Sequence, residues 1–512
     1  MGPGSKWIRN ARGLAACVTA GCLFLGLQVY PALAAPGDID ASFGAGGIVE
    51  TPQSLRQGHL RETALGMAIG PRDEIFVLGA VPQACSGGCP LDLEVTRYGR
   101  EGSRDNSFGA GGRAVLTVRP GQDLRVAASI AVGGDGKVVI ATTGESDMTL
   151  FRLTPRGALD STFGGTGIVS SHLAGRDQAA GVAVQRNGAI VLAGARESAL
   201  EGTQALLARY TPAGTLDNGF GEGGIRVLGF APDDYPAGLA LGGKGQIAVG
   251  LSDCCYATGR ALVARLTADG ALDRGFSRQG WRSVGQLAPV RVAAVMPARK
   301  GRLLAIGVSG KGVFAARFLA DGSADMHFGK RGLVFPRLPP PRRHFSTSAV
   351  DGAGRLLIAT TGRSPGQFGL TRMRPNGFPD QTFAGGVAGG IPELTAASSI
   401  AQQSNGRIVV LGEAGACERS CPPSRMVIAR YLGGNSHARC AGERANIVGT
   451  RGRDTLEGTP HRDVIQALGG NDRILGFGGN DLICGGHGDD TLIGGSGRDR
   501  LLGGPGKDKR SR

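Results

Sequence analysis

The sequence predicts an all-β protein: a seven-bladed β-propeller closed by its own N-terminal strand, followed by a parallel β-roll. Two rhythms and a composition predict it. A skeleton GxxDxxF recurs seven times at intervals of 52 to 65 residues, a period found in propellers and solenoids, whose units bury their apolar faces only against neighbours. From Gly449 the period falls to nine. Ninety glycines with 41% hydrophobic and 5% aromatic residues describe a turn-rich β chain and exclude a helical one.

The long unit comes first. Its Gly, Asp and Phe stand at Gly37/Asp40/Phe43, Gly102/Asp105/Phe108, Gly157/Asp160/Phe163, Gly214/Asp217/Phe220, Gly270/Asp273/Phe276, Gly322/Asp325/Phe328 and Gly377/Asp380/Phe383. Around each lie strand patterns. A small-residue strand such as Gly181-Val182-Ala183-Val184 runs into a turn such as Asn187-Gly188 or Lys300-Gly301, the mark of a hairpin. The return strand is strongly apolar, as in Ile190 to Ala193, and a third strand ends in Arg97, Arg152, Arg209, Arg265, Arg317, Arg372 or Arg430. A fourth short strand such as Gly224 to Val227 closes the unit. Four short antiparallel strands in about 57 residues make a propeller blade. The ends are complementary: the first GxxDxxF has no Arg strand before it, and the last Arg strand has no GxxDxxF after it. Asp38 to Glu50 is therefore expected to supply the outer strand of the last blade, which removes open sheet edges.

Residues 1–34 read as a signal peptide, with Lys6, Arg9 and Arg12 before an apolar run and Ala32-Leu33-Ala34 at the cleavage site. No other run approaches the roughly 20 apolar residues a spanning helix needs, so the chain is expected to be secreted or at the cell surface, without a transmembrane segment. Removing the leader leaves 54 basic against 42 acidic residues, a formal +12. That balance favours an anionic surface polymer or protein as partner. The basic run Arg337 to His344 lacks interleaved aromatics, which argues against a specific nucleic-acid site. A monomer is expected.

Of the cysteines outside the leader, Cys85 with Cys89 and Cys417 with Cys421 occupy the same loop in the first and seventh units. In an exported chain such pairs are disulfide candidates. Cys440 and Cys484 are a further candidate pair, pinning the start of the short-period region; Cys254 and Cys255 are adjacent, and their redox state is open.

The short unit reads GTRGRDTLE, GTPHRDVIQ, ALGGNDRIL, GFGGNDLIC, GGHGDDTLI, GGSGRDRLL, GGPGKDKRS. Asp is sixth in every copy: Asp454, Asp463, Asp472, Asp481, Asp490, Asp499 and Asp508. A large aliphatic residue is eighth in all but the last, where Arg510 stands. Over residues 449–511 this resembles the haemolysin-type, or repeats-in-toxin, calcium-binding family. The resemblance implies a β-roll of two nonapeptides per coil whose glycine turns, including Gly470, Gly479 and Gly488, bind calcium with the aspartates. The chemistry agrees, since calcium takes six to eight oxygens, from carboxylates and from backbone carbonyls that glycine leaves open. Two nonapeptides per coil would stack Asp454, Asp472, Asp490 and Asp508 on one side and Asp463, Asp481 and Asp499 on the other. Stacked carboxylates repel until a cation lies between them, so folding of the tail is expected to depend on calcium. Position five departs from the family pattern, being basic at Arg453, Arg462, Arg498 and Lys507.

The long units, with Leu-Asp-x-x-Phe-Gly as at Leu159 to Gly164, resemble the delta-60 repeat of bacterial exported proteins over residues 37–432. That resemblance implies a propeller and brings no catalytic residues. The recurring Asp is accordingly read as capping its own turn, the Phe as packing between blades, and the Arg as pairing with Asp. Hydrolase, metalloprotease, P-loop, EF-hand and dinucleotide motifs are missing from the sequence. The expected organisation is a signal peptide (1–34), a propeller (35–435), a linker and cap (436–448) and a calcium-binding roll (449–512). The expected function is that of an extracellular calcium-binding interaction protein; the alternative is an extracellular hydrolase or lyase with its site in the propeller channel.

Overall fold

The computed structural model describes residues 36–51, 63–82, 91–117, 128–144, 147–172, 176–198, 202–230, 234–253, 261–284, 290–336, 344–361, 368–383, 387–388, 394–414, 425–433, 439–445, 447–449 and 453–511. Residues 1–34, expected to be a signal peptide, and the run Arg337 to Arg343 lie outside them. So do two of the three expected disulfide pairs, Cys85 with Cys89 and Cys417 with Cys421, and the adjacent Cys254 and Cys255. No helix among the described residues is long and apolar enough to cross a membrane.

Seven four-stranded antiparallel sheets follow one another along the chain. Blade three shows how the sequence makes one. Arg176–Val184, Ile190–Ser198, Gly202–Tyr210 and Ile225–Val227 pair in that order. The Asn187-Gly188 turn is not a simple two-residue hairpin: the Gly188 N–H donates to the Gln185 carbonyl at 2.9 Å, with Gly188 at φ 83°. This is a type I turn followed by a left-handed residue, for which glycine is the unstrained choice. The middle strands are buried on both faces, and Ile190, Val191, Leu192 and Leu206 are all 1% exposed or less. That is why their sequences read as continuous apolar runs instead of alternating ones.

The first strands of successive blades lie against one another around the ring, and that of blade seven meets that of blade one. Blade seven takes Leu394–Gln402, Ile408–Ala414 and Arg425–Tyr431 from the end of the ring and Ile48–Glu50 from its beginning. Ile48, Val49 and Glu50 pair with Ala429, Ile428 and Val427. The Gly37 N–H donates to the Leu432 carbonyl at 2.6 Å, and the Leu432 N–H to Asp38 at 2.8 Å. The ring is therefore closed by the N-terminal strand, as the complementary ends predict.

GxxDxxF is the joint between blades. In blade two the Arg152 Nε donates to Asp160 Oδ2 at 2.8 Å, its guanidinium carbon lies 4.6 Å from the centre of the Phe163 ring, and its Nη1 donates to the Pro212 carbonyl of blade three. The other six arginines make the same kinds of contact, although Arg97 pairs with Asp105 through Nη2 instead of Nε. Arg97, Arg209, Arg265, Arg317 and Arg372 reach the carbonyls of Pro155, Ala268, Gly301, Pro375 and Gly433, each in the next blade. Arg430 completes the circle with Asp40 at 2.9 Å, Phe43 at 4.7 Å and the Arg100 carbonyl of blade one at 2.7 Å. The aspartate's other oxygen accepts the N–H two residues on, as Asp160 Oδ1 does from Thr162. The glycine sits on the previous blade's ring: a Cβ at Gly214 would come 2.9 Å from Phe163.

The C-terminal region is a parallel β-solenoid. Ile447–Val448, Val464–Gln466, Leu482–Cys484 and Arg500–Leu502 form one sheet, and Thr455–Glu457, Arg473–Leu475, Thr491–Ile493 and Lys509–Ser511 the other. Each residue pairs with the one 18 positions on, as Ile465 does with Ile483, so one coil holds two nonapeptides. Leu456, Ile465, Ile474, Ile483, Leu492 and Leu501 fill a thin core between the sheets. A small hairpin, Arg439–Cys440 with Glu443–Arg444, packs on Val464 and Leu482 at the outer face of the first sheet. The third expected disulfide is present, with Cys440 bonded to Cys484 across 44 residues.

Candidate metal centre

The sixth residue of each nonapeptide follows the turn and precedes the strand, so the 18-residue coil superposes alternate aspartates. The structure brings the predicted residues into two ladders. Asp454, Asp472 and Asp490 each donate their N–H to Oδ1 of the aspartate 18 residues on, at 2.7, 2.8 and 3.1 Å. Asp463 and Asp481 do the same toward Asp481 and Asp499, at 2.8 and 2.9 Å. One carboxylate oxygen is thereby spent on holding coils together.

The other oxygen is the chemically unsettled one. Oδ2 of Asp472, Asp481, Asp490 and Asp499 is buried with no hydrogen-bond partner. In Asp481, Asp490 and Asp499 it turns back toward the first residue of its own turn, where a Cβ on Gly476, Gly485 or Gly494 would lie 2.5, 2.3 and 2.3 Å from it. At those three positions a side chain would collide with the carboxylate. Burial pushes the Asp472 carboxyl up to about 7, against the pull of the Asp454 N–H, with the Asp454 and Asp490 charges adding to the rise. Burial likewise raises Asp481 to about 6, with Asp463 and Asp499 contributing, and raises Asp490 with Asp508 and Asp489 contributing. Buried, unpartnered and mutually repelling oxygens are a donor set for a hard cation.

The turn glycines have their own constraint. Gly470, Gly479 and Gly488 lie at φ 111°, 107° and 121°, and a Cβ on Gly488 would come 2.1 Å from the Gly470 carbonyl oxygen. The coils stack too closely at that point for any side chain. Among the described residues no three His, Cys, Asp or Glu side chains converge as a metal-binding group. A cation held here would take its remaining ligands from backbone carbonyls, the arrangement that glycine turns permit.

Two features escape a reading by the sixth position alone. Asp463 differs from its neighbours, because Thr459 donates to its Oδ2 from both N–H (2.6 Å) and hydroxyl (2.9 Å). The signal is the Thr that replaces the second glycine of that turn. Position five also forms a ladder: Oδ1 of Asn471, Asn480 and Asp489 accepts the N–H of Asp489, Arg498 and Lys507 at 2.9, 2.9 and 2.8 Å. The basic residues stand where this second ladder begins or ends.

In the propeller the innermost strands, such as Ala128–Val132 and Leu394–Gln402, consist mostly of small residues.

Comparison with known proteins agrees with this division. Residues 445–474, 457–492 and 475–509 match the model of the RTX calcium-binding nonapeptide repeat. Residues 133–163 and 185–220 match that of the DUF5122 β-propeller, a domain of unknown function. No curated protein matches the chain. Similar solved structures include a protein of unknown function from Dyadobacter fermentans DSM 18053, 13% identical, at a TM-score of 0.37 over 75% of this chain and 99% of that one. The Dos1 propeller is 8% identical at a TM-score of 0.41, over 73% of this chain and 93% of its own. A luciferin-regenerating enzyme is 9% identical at 0.35, over 60% and 91%. Likenesses this slight add nothing about function. The C-terminal coils are thus RTX calcium-binding repeats, and the ring before them carries repeats of the DUF5122 β-propeller type.

Proposed function

We propose that this is an exported interaction protein in which calcium folds the C-terminal roll beside a propeller that serves as a binding scaffold. The observation that carries it is the row of buried carboxylate oxygens without partners at Asp472, Asp481, Asp490 and Asp499. At neutral pH each ionised oxygen left so would cost folding free energy, and a divalent cation removes that cost. The strongest sites are proposed between Asp472 and Asp490 on one side and between Asp481 and Asp499 on the other. Asp463 is the weaker ligand because Thr459 already serves its Oδ2, and Asp508, beside Arg510 at 3.6 Å, weaker again. The propeller is assigned residues 35–435 and the roll 449–512. The basic balance of the chain, +15 over the full sequence, supports an anionic polymer or protein outside the cell as the partner.

The test is calorimetric titration of the leaderless chain with calcium, followed by trypsin digestion. Saturable heat and calcium-dependent protection of the Arg- and Lys-rich coils are expected, and Asp490→Asn should weaken binding by about tenfold or more. No heat, with tail cleavage unchanged by calcium, would remove the metal reading.

A further inference from the structure

A cleft of ≈ 620 Å³ opens where the roll meets the propeller, within the size range of small-molecule sites. Two of its walls are the GxxDxxF turns of blades five and six, and the third is the turn of the second nonapeptide. The seven repeats act as internal controls for what those turns need. After the glycine stand Asp38, Ser103, Ala158, Thr215, Ala271 and Ser323, but Phe378 in blade six. After the aspartate stand Ala41, Asn106, Ser161, Asn218, Arg274 and Gln381, but Met326 in blade five. Met326 is 59% and Phe378 51% exposed, both facing this cleft. Blade architecture does not require a large apolar residue at either place, and exposing one costs solubility.

Cations line the same space. Arg302, Arg374 and Arg462 contribute to the walls, and their bonds to Asp325, the Glu457 carbonyl and Glu443 engage one guanidinium nitrogen of each. His327 of the propeller and His461 of the roll stack edge to face at 4.9 Å across it. Glu443, bonded to Arg462 at 2.7 Å, Asp463 and the buried Asp325 are the acidic groups nearby, and Arg317 stands beside Asp325.

We infer that this cleft is a binding site for a small organic anion with an apolar body, its carboxylate held by Arg374 and Arg462 and its body packed on Met326 and Phe378. Charge and apolar surface converge on one occupant of that class. The roll wall rests on the calcium reading above, so the test is made in saturating calcium on the leaderless chain, with trypsin protection of the tail recorded on the same sample. The probe is 4-phenylbutyrate, with 4-phenylbutyramide as its neutral twin, titrated calorimetrically. The carboxylate should bind about tenfold more tightly than the amide. Phe378→Ser, Met326→Ser and Arg374→Gln should each weaken it several-fold, and Leu159→Ser, at the exposed leucine of blade two's turn, should not. Absence of binding in a sample whose tail calcium protects would overturn the cleft while leaving the metal reading intact. Equal binding of acid and amide, or an equal loss with Leu159→Ser, would overturn it as well.

Discussion

Arg372 shows what a repeated residue does in this molecule. Its side chain is 1% exposed, pairs with Asp380 at 2.7 Å, and lies over Phe383 at 4.4 Å. Burial lowers the guanidinium to about 10, with Asp380 opposing that fall and Arg355 adding to it. Asp380, which burial alone would raise, is held below the ordinary carboxylate range by Arg372, Arg355 and Thr382. Removing one member leaves a buried charge unpaired, so Asp380→Ala should destabilise the ring by about 3–5 kcal/mol in denaturant unfolding. The matching change Asp105→Ala should cost about 1 kcal/mol or less, because Asp105 is 32% exposed. A flat response across the two sites would show that the motif does not act through buried pairing. The Arg–Asp–Phe group was legible in the sequence because it recurs with fixed spacing. Its reach into the next blade was not, since a carbonyl acceptor leaves no residue preference to read.

At the scale of elements, the closing strand and the roll were legible for different reasons. Ile48–Glu50 could be assigned to blade seven because each end of the repeat array lacks what the other holds. Deleting residues 36–51 should leave the edge of Arg425–Tyr431 unpaired, and the product should aggregate or lose its cooperative unfolding transition in calorimetry. The roll was legible from its 9-residue period, which fixes the stacking of aspartates without any knowledge of the ring. The hairpin Arg439–Cys440/Glu443–Arg444 could not be read, being two residues a side and irregular in sequence. Its bond to Cys484 closes a 44-residue span, for which chain entropy gives about 4 kcal/mol. Cys440→Ser should therefore lower the unfolding midpoint of the roll and leave that of the propeller unchanged.

Across the whole molecule the two parts should answer acid in opposite directions. In the propeller, carboxylates such as Asp40, Asp105 and Asp160 are held below their ordinary pKa. At Asp40 and Asp160 burial opposes this and is outweighed by the side-chain bonds of Ser42 with Arg407 and of Thr162 with Lys137; at Asp105 the Ser107 bond leads. Their contribution is present above about pH 4 and lost as pH falls further. In the metal-free roll, burial and neighbouring carboxylates raise Asp472 to about 7 and Asp481 to about 6. That contribution is complete below the ordinary value of 3.8 and lost as pH rises through 6 to 7. Without calcium the roll should therefore unfold at a higher temperature near about pH 4.5 than near about pH 7.5, and with calcium the order should reverse as protons and metal compete for the same oxygens.

Amide hydrogen exchange over residues 453–511, with and without calcium at neutral pH, tests the ladder most directly. Slow exchange in Arg473–Leu475, Leu482–Cys484 and Thr491–Ile493 should appear only when calcium is present, while the blades stay protected in both conditions. Coils equally protected in the chelated protein would contradict the account, since the buried aspartates would then be stable together without a cation.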